Sequence, residues 1–252
     1  MDEVITRADG YRILDRHSFP EGVKNCDYRC GDVLIELKML EKEAIESTER
    51  QQKLAAFFSE LRLAQPGLGS DVEISKLPPE FKRRYWDIFL SGLENLTKAA
   101  NRQIRETKQH LSMDTCRGAI FIINKECETI DPATVRQYVE HLLTLKCSSL
   151  NYVISFTAIP GVMDGKERPI LEYYNSPTEH AEDAAVLQRI HDAFHAKFQE
   201  LLGKPIPIAK NVPGWVKNLR PDKDFAVGDA HISLKSDSLS HIPGSSVKPP
   251  ES

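Results

Sequence analysis

The sequence predicts an α/β domain in which a mixed β-sheet is flanked by α-helices on both faces. Two segments, 118–124 and 151–157, are apolar runs bounded by turn residues, as expected of strands buried inside a sheet. Segments with helical periodicity alternate with them, which is the order of elements in α/β proteins. A β-hairpin predicted over residues 24–40 argues against a simple doubly wound sheet.

Four helices and a C-terminal tail complete the predicted organisation. The helices are expected over residues 40–63, 78–112, 131–145 and 176–202. Pro78-Pro79 opens the second helix, and Ser176 with Glu179 forms a capping box at the start of the fourth. The end of the chain is rich in proline, serine and lysine, a composition that buries too little apolar surface to fold. We therefore expect one domain over residues 1–220 and a disordered tail over 221–252.

The composition is that of a globular protein in a reducing compartment. The chain has 252 residues, of which 40% are hydrophobic and 28% are charged, which is enough for a sizeable core. No apolar stretch approaches the roughly 18–20 residues that cross a bilayer, so no membrane association is expected. Five cysteines and an acidic N-terminus favour free thiols and a cytoplasmic location. The net charge of −4 excludes a uniformly basic nucleic-acid coat but leaves room for a local basic stripe.

The predicted hairpin brings two acidic residues together. If Gly31 and Asp32 form a two-residue loop, Asp27 lies directly opposite Glu36, with Cβ atoms about 4.5–5.5 Å apart. A four-residue loop would place Asp27 opposite Leu34 instead, diagonal to Glu36. Either register leaves Asp27 and Glu36 on the same face of the hairpin.

Lys38 joins this face because side chains alternate along a strand. Glu36 and Lys38 point to one side, whereas Val33, Ile35 and Leu37 point to the other. Two neighbouring carboxylates repel each other, and a hard cation removes that cost. Mg²⁺ is commonly held by one or two carboxylates together with water and substrate phosphate. The alternative is a solvent-facing strand on which Lys38 merely offsets the charge of Glu36.

A basic stripe is predicted on the second helix. Lys98, Arg102 and Arg105 fall within about 60° of one another, opposite the apolar positions of that helix. These side chains are candidates for contacts with a phosphate backbone. A solvated helix face with no ligand is the simpler interpretation of the same pattern.

Asp27, followed by the run Val33-Leu34-Ile35-Glu36-Leu37-Lys38, resembles the PD-(D/E)XK signature of restriction-endonuclease-like nucleases. Cys26 stands where the signature has proline. The core of this family is a helix–three-strand–helix–strand unit, so the resemblance implies a restriction-endonuclease-like core with extra helices. It also implies that Asp27, Glu36 and the backbone carbonyl of Leu37 bind Mg²⁺, with Mn²⁺ as a substitute, and that Lys38 assists the attacking water.

The sequence therefore predicts a metal-dependent nuclease that hydrolyses phosphodiester bonds, with Asp27, Glu36 and Lys38 as catalytic residues. DNA is the expected substrate, although RNA remains open, and nucleases of this kind often act as homodimers. The alternative is an inactive module of the same fold that serves as a nucleic-acid or protein adaptor. A second alternative is a structural or regulatory protein in which the hairpin pattern is coincidental.

Overall fold

The computed structural model describes residues 1–40, 47–65, 67, 71–124, 132–163, 166–203, 209–210, 223–227 and 230–234. The helices within these residues are α1 (Asp2–Arg7), α2 (Thr48–Ala64), α3 (Pro79–Phe89), α4 (Ser91–Leu111), α5 (Pro132–Lys146) and α6 (Ala181–Leu202). The first strands are β1 (Gly10–Arg12), β2 (Tyr28–Cys30), β3 (Val33–Leu40), β4 (Asp71–Glu73) and β5 (Arg117–Asn124). The later strands are β6 (Tyr152–Met163), β7 (Lys166–Asn175), β8 (Ala209–Lys210), β9 (Lys223–Val227) and β10 (Ala230–Leu234).

The main sheet is mixed, as predicted, and has the strand order β1-β2-β3-β5-β6-β7-β8. Strands β1, β2 and β3 form an antiparallel meander, and β3, β5 and β6 are parallel to one another. Strand β7 returns antiparallel to β6. The apolar runs predicted as buried strands are β5 and the first half of β6, which occupy the middle of the sheet. The predicted turn at 164–165 lies outside the described residues.

Helices cover both faces of this sheet, which confirms the predicted α/β class. On one face, Leu34, Ile120 and Val153 pack with apolar residues of α2, α3, α4 and α5. On the other face, Ile35 and Phe121 pack with residues of α1 and α6. Because side chains alternate along β3, Glu36 and Lys38 lie on the same face as Leu34 and therefore point towards α4.

Two predicted helices differ from the observed ones. Residues 78–112 form two helices that meet at Leu90, which is fully buried and has the non-helical angles φ −91° and ψ 2°. The break lets α3 pack on α2 while α4 packs on β3. The capping box predicted at Ser176 is wrong: α6 begins at Ala181, and the Ser176 hydroxyl accepts the N–H of Val153 instead. The helix predicted to start at residue 40 begins at Thr48, because Leu40 is the last residue of β3; residues 41–46 lie outside the described part of the chain.

Part of the predicted tail is folded. Strands β9 and β10 pair antiparallel, and β10 pairs parallel with β4 to give a second, three-stranded sheet. In the sequence of β10, Ala-His-Ile-Ser-Leu, apolar and polar residues alternate as is usual in strands, a pattern that the composition of the tail concealed. The other residues of 221–252 lie outside the described ones. Within the described residues, no helix combines the length and the apolarity needed to cross a membrane.

Candidate functional site

The hairpin has the register that places Asp27 opposite Glu36. Cys30 pairs with Val33 and Tyr28 pairs with Ile35, so the loop has the two residues Gly31 and Asp32. Gly31 has φ +54°, a conformation that side chains disfavour and that fits the first position of a tight hairpin turn. Counting one residue outward from the Tyr28–Ile35 pair brings Asp27 to Glu36.

Asp27 is held by both its main chain and its side chain. Its carbonyl accepts the N–H of Ile13 at 2.9 Å, which anchors the residue just before β2 begins. Its carboxylate oxygen Oδ2 accepts the N–H of Leu37 at 2.8 Å. A residue in a strand directs its N–H and C=O to the same edge, so the carbonyl of Leu37 also lies on the side of Asp27. The resemblance to the nuclease signature implied that the Leu37 carbonyl would lie with Asp27.

Glu36 is a buried carboxylate, with only 2% of its surface exposed. Burial, and then the neighbouring carboxylate of Asp27, raise the pKa of Glu36 to about 7 in spite of the opposing effect of Lys38. Its Oε1 atom accepts a hydrogen bond from Lys38, whereas its Oε2 atom has no hydrogen-bond partner among the described residues. A buried carboxylate oxygen without a partner costs free energy, so this atom is suited to binding a cation or a proton.

Lys38 completes the cluster. Its Nζ atom lies 2.6 Å from Glu36 Oε1 and 2.8 Å from Gln103 Oε1, and its side chain is 16% exposed. The three residues predicted from the hairpin pattern therefore lie together. Leu37, between them, points to the opposite face and packs at the margin of the core beneath α6.

Helix α4 contributes residues that the sequence analysis did not single out. Four of its side chains, at the helical spacing i, i+3, i+4 and i+7, bond to the backbone of the segment that leads to Asp27. Gln103 donates to the carbonyl of Asn25, Glu106 accepts the N–H of Lys24, Thr107 accepts the N–H of Cys26, and His110 bonds to the carbonyl of Ser18. This polar stripe runs between the apolar and the basic faces of α4, and its regular spacing was visible in the sequence.

The predicted basic stripe lies on the exposed side of α4. Lys98 is ion-paired with Glu94 at 2.8 Å, and Arg102 is ion-paired with Glu106 at 2.5 Å. Because Glu106 also accepts the N–H of Lys24, Arg102 is linked through Glu106 to the segment before Asp27. Arg105 is exposed on the same side of the helix.

The residues present fit a metal ion held by few protein ligands. Among the described residues, no group of three or more His, Cys, Asp or Glu side chains is placed to hold a metal. Two carboxylates are nevertheless a usual complement for Mg²⁺, which keeps several water ligands. The unpartnered Oε2 atom of Glu36 and the adjacent carboxylate of Asp27 supply this donor set.

No family model, curated protein or solved structure matches this chain.

Proposed function

We propose that this protein is a metal-dependent nuclease that hydrolyses phosphodiester bonds, with DNA as its substrate. The observation that carries the proposal is the clustering of Asp27, Glu36 and Lys38 on one face of the β2–β3 hairpin. In that cluster a buried carboxylate oxygen lacks a partner, and an ammonium group lies 2.6 Å from the other oxygen of the same carboxylate. Such an arrangement is expensive for a protein that uses it only for stability.

The order of elements around the cluster also supports a restriction-endonuclease-like core. Helix α1 is followed by the three strands β1, β2 and β3, then by α2, the short strand β4, α3 and α4, and then by β5. Strand β4 belongs to the second sheet, so the main sheet itself has three strands, helices and then β5. This is the helix–three-strand–helix–strand order of the family that the Asp27–Glu36–Lys38 pattern resembles. Asp27 immediately precedes β2 and Glu36 lies within β3, in keeping with that pattern.

Asp27, Glu36 and the backbone carbonyl of Leu37 would hold Mg²⁺, or Mn²⁺ in its place. The ion, when bound, lowers the pKa of a coordinated water and offsets negative charge on the phosphoryl group. In the hydrolysis, a water oxygen bonds to phosphorus, the bond from phosphorus to the leaving sugar oxygen breaks, and a proton passes to that oxygen. Asp27 and Glu36 would place the reaction next to the part of β3 that extends past its pairing with β2.

Lys38 would act on the phosphate and on the attacking water. An ammonium group has three hydrogen-bond donors and no acceptor, so those directed to Glu36 and Gln103 leave one for a water or a phosphoryl oxygen. A fixed positive charge at this position stabilises the negative charge that develops as water attacks. The partial exposure of Lys38 allows such contact.

The substrate would be bound along the exposed side of α4. Lys98, Arg102 and Arg105 supply positive charge there, and Arg102 is linked through Glu106 to the segment before Asp27. Contacts of this kind with phosphates are independent of base sequence. Cleavage of both strands of a duplex would need two such sites, which a homodimer would provide.

Cleavage of DNA and RNA substrates with Mg²⁺, Mn²⁺ or EDTA tests the proposal. The full chain would be compared with a Glu36→Gln, Lys38→Ala variant and with a matched control, Glu49→Gln, Lys53→Ala. The control removes an exposed ion pair of the same composition on α2. We expect metal-dependent cleavage by the wild type and the control, and none by the Glu36 variant. Equal inertness of all three, with no change of melting temperature on adding metal, would instead support the adaptor function.

A further inference from the structure

The polar stripe of α4 connects the catalytic cluster to the main chain that carries Asp27. Glu106, Thr107 and His110 bond to backbone atoms of residues 18–26, as residues do that fix a loop. Gln103 differs from them because it bonds at once to this segment and to the side chain of Lys38. Its Oε1 atom accepts from Lys38 Nζ at 2.8 Å, and its Nε2 atom donates to the Asn25 carbonyl at 3.0 Å.

The orientation of the Gln103 amide follows from its two partners. The ammonium of Lys38 can only donate hydrogen bonds, and a backbone carbonyl can only accept them. The amide oxygen must therefore face Lys38 and the amide nitrogen must face Asn25. The reverse orientation would direct N–H groups at an ammonium and an oxygen at a carbonyl. The Asn25 contact thus keeps the acceptor pointed at Lys38 even when the other contacts of Lys38 change.

From this geometry we infer that Gln103 is a positioning residue for the proposed nuclease reaction, holding Lys38 Nζ in place between Glu36 and the substrate. The inference rests on the proposed function. A lysine side chain has several freely rotating bonds, and ordering it costs conformational entropy. Glu36 alone can bind the ammonium in several directions, because a single oxygen accepts over a wide range of angles. A second acceptor on a rigid helix restricts the ammonium to one position.

The bond to Gln103 also makes the position of the Lys38 ammonium less dependent on the contacts of Glu36. When Glu36 binds a cation, its attraction for the ammonium weakens. Gln103 is uncharged, so its contact with Lys38 is not altered by that event. The ammonium therefore remains at the cluster in both situations, and its remaining donor stays directed away from α4.

Variants of Gln103 test the inference on the full-length protein. Gln103→Leu removes both hydrogen bonds at similar volume, whereas Gln103→Glu keeps an acceptor for Lys38 but loses the donor to Asn25. Gln103→Asn is shorter by one methylene, so it moves the amide away from both partners while keeping the side chain polar. It tests the same loss of hydrogen bonds if the Leu variant fails to fold. Gln109→Leu is the matched control, because Gln109 is exposed on the same helix.

The first measurement is the exchange of the Lys38 ammonium protons with water, followed by nitrogen NMR on protein labelled at the lysine Nζ atoms. A Lys38→Arg variant identifies the signal. Hydrogen bonds to charged groups are worth about 1.5–3 kcal/mol, so we expect exchange to quicken about tenfold or more in Gln103→Leu and Gln103→Asn. Gln103→Glu should stay closer to the wild type, and Gln109→Leu should equal it. Unchanged exchange in Gln103→Leu and Gln103→Asn would overturn the inference.

The second measurement is steady-state cleavage. A positioning role predicts a fall in kcat of about tenfold or more in Gln103→Leu, with KM little changed, and partial recovery in Gln103→Glu. If misfolding alone caused the loss, activity would fall in proportion to the folded fraction, and kcat per folded molecule would be unchanged. If the wild type does not cleave nucleic acid, the proposed function fails. The exchange measurement then still decides whether Gln103 positions Lys38.

Discussion

The carboxylate of Asp27 accepts the backbone N–H of Leu37 at 2.8 Å, just beyond the Tyr28–Ile35 pair, where β3 continues past its pairing with β2. The side chain thus replaces the strand partner that Leu37 would otherwise have. The same contact holds Asp27 beside Glu36, whose pKa it helps to raise. Asp27 therefore satisfies a backbone N–H of β3 and also supplies a carboxylate to the candidate metal site.

Substituting Asp27 separates these two roles. Asp27→Asn keeps an oxygen that can accept the N–H of Leu37 and removes the charge that repels Glu36, so we expect stability equal to or above that of the wild type. Asp27→Ala leaves the N–H without its acceptor and should cost about 1–3 kcal/mol in free energy of unfolding. Denaturant unfolding in EDTA checks both values. An Asn variant as unstable as the Ala variant would mean that the charge itself, and not the hydrogen bond, stabilises the edge.

The raised pKa of Glu36 predicts a pH dependence of stability in the absence of metal. The folded protein binds a proton at Glu36 up to a pH of about 7, whereas the unfolded chain releases it near its ordinary value of 4.5. Stability from this group is therefore greatest below about pH 4.5 and falls as the pH rises towards about 7. The loss is of the order of 3 kcal/mol at most.

Glu36→Gln isolates this contribution, because the amide does not titrate. We expect the stability of Glu36→Gln relative to the wild type to be larger at about pH 8 than at about pH 5. Unfolding by denaturant at the two pH values, in EDTA, measures the difference. A constant difference would show that the carboxylate is as well solvated in the folded protein as in the unfolded chain.

Bound Mg²⁺ should oppose the decrease in stability that the metal-free protein shows as the pH rises. Mg²⁺ requires the ionised form of Glu36, so protons compete with it below a pH of about 7. We expect Mg²⁺ to raise the melting temperature more at about pH 8 than at about pH 5.5, and to release protons on binding at the lower pH. Scanning calorimetry with Asp27→Asn as the control measures this. A rise of equal size in wild type and control would place the ion elsewhere on the protein.

The clustering of Asp27, Glu36 and Lys38 was predictable because it depends on local geometry. The sequence left the hairpin loop at two or four residues, and the structure has the two-residue loop. In either register, alternation along the strands puts Asp27, Glu36 and Lys38 on one face. The buried strand β5 was likewise visible as an apolar run. These features need only neighbouring residues, so one sequence suffices to find them.

Other features depend on contacts between distant parts of the chain. The break at Leu90 follows from α3 and α4 packing on different elements, although their apolar pattern is continuous through the break. The pairing of β10 with β4 joins segments about 160 residues apart, a separation that no local pattern reports. Gln103 was overlooked because it lies 65 residues from Lys38 and belongs to neither the apolar nor the basic face of α4.

Removing Lys38 should destabilise the protein through Glu36. Lys38→Met leaves the Glu36 carboxylate buried without its cation, and we expect a loss of about 1–3 kcal/mol at neutral pH, limited by protonation of Glu36. The double variant Glu36→Gln, Lys38→Met should recover most of that loss. A double-mutant cycle from denaturant unfolding gives the coupling between the two residues. Additive effects would mean that water screens the pair completely.

The basic stripe of α4 predicts the salt dependence of nucleic-acid binding. Removing one cation that binds a phosphate makes the slope of log K against log salt shallower by about 0.9 for duplex DNA. Lys98, Arg102 and Arg105 would each be replaced singly by Gln, and binding would be measured by fluorescence anisotropy in Ca²⁺ over a range of salt concentrations. The slope for each variant shows whether that side chain binds a phosphate. We expect the largest effect from Arg102, because Glu106 links it to the segment before Asp27. Lys53→Gln on α2 is the control. If all four variants keep the wild-type slope, the stripe is a solvated helix face, and the substrate enters the cluster from another side.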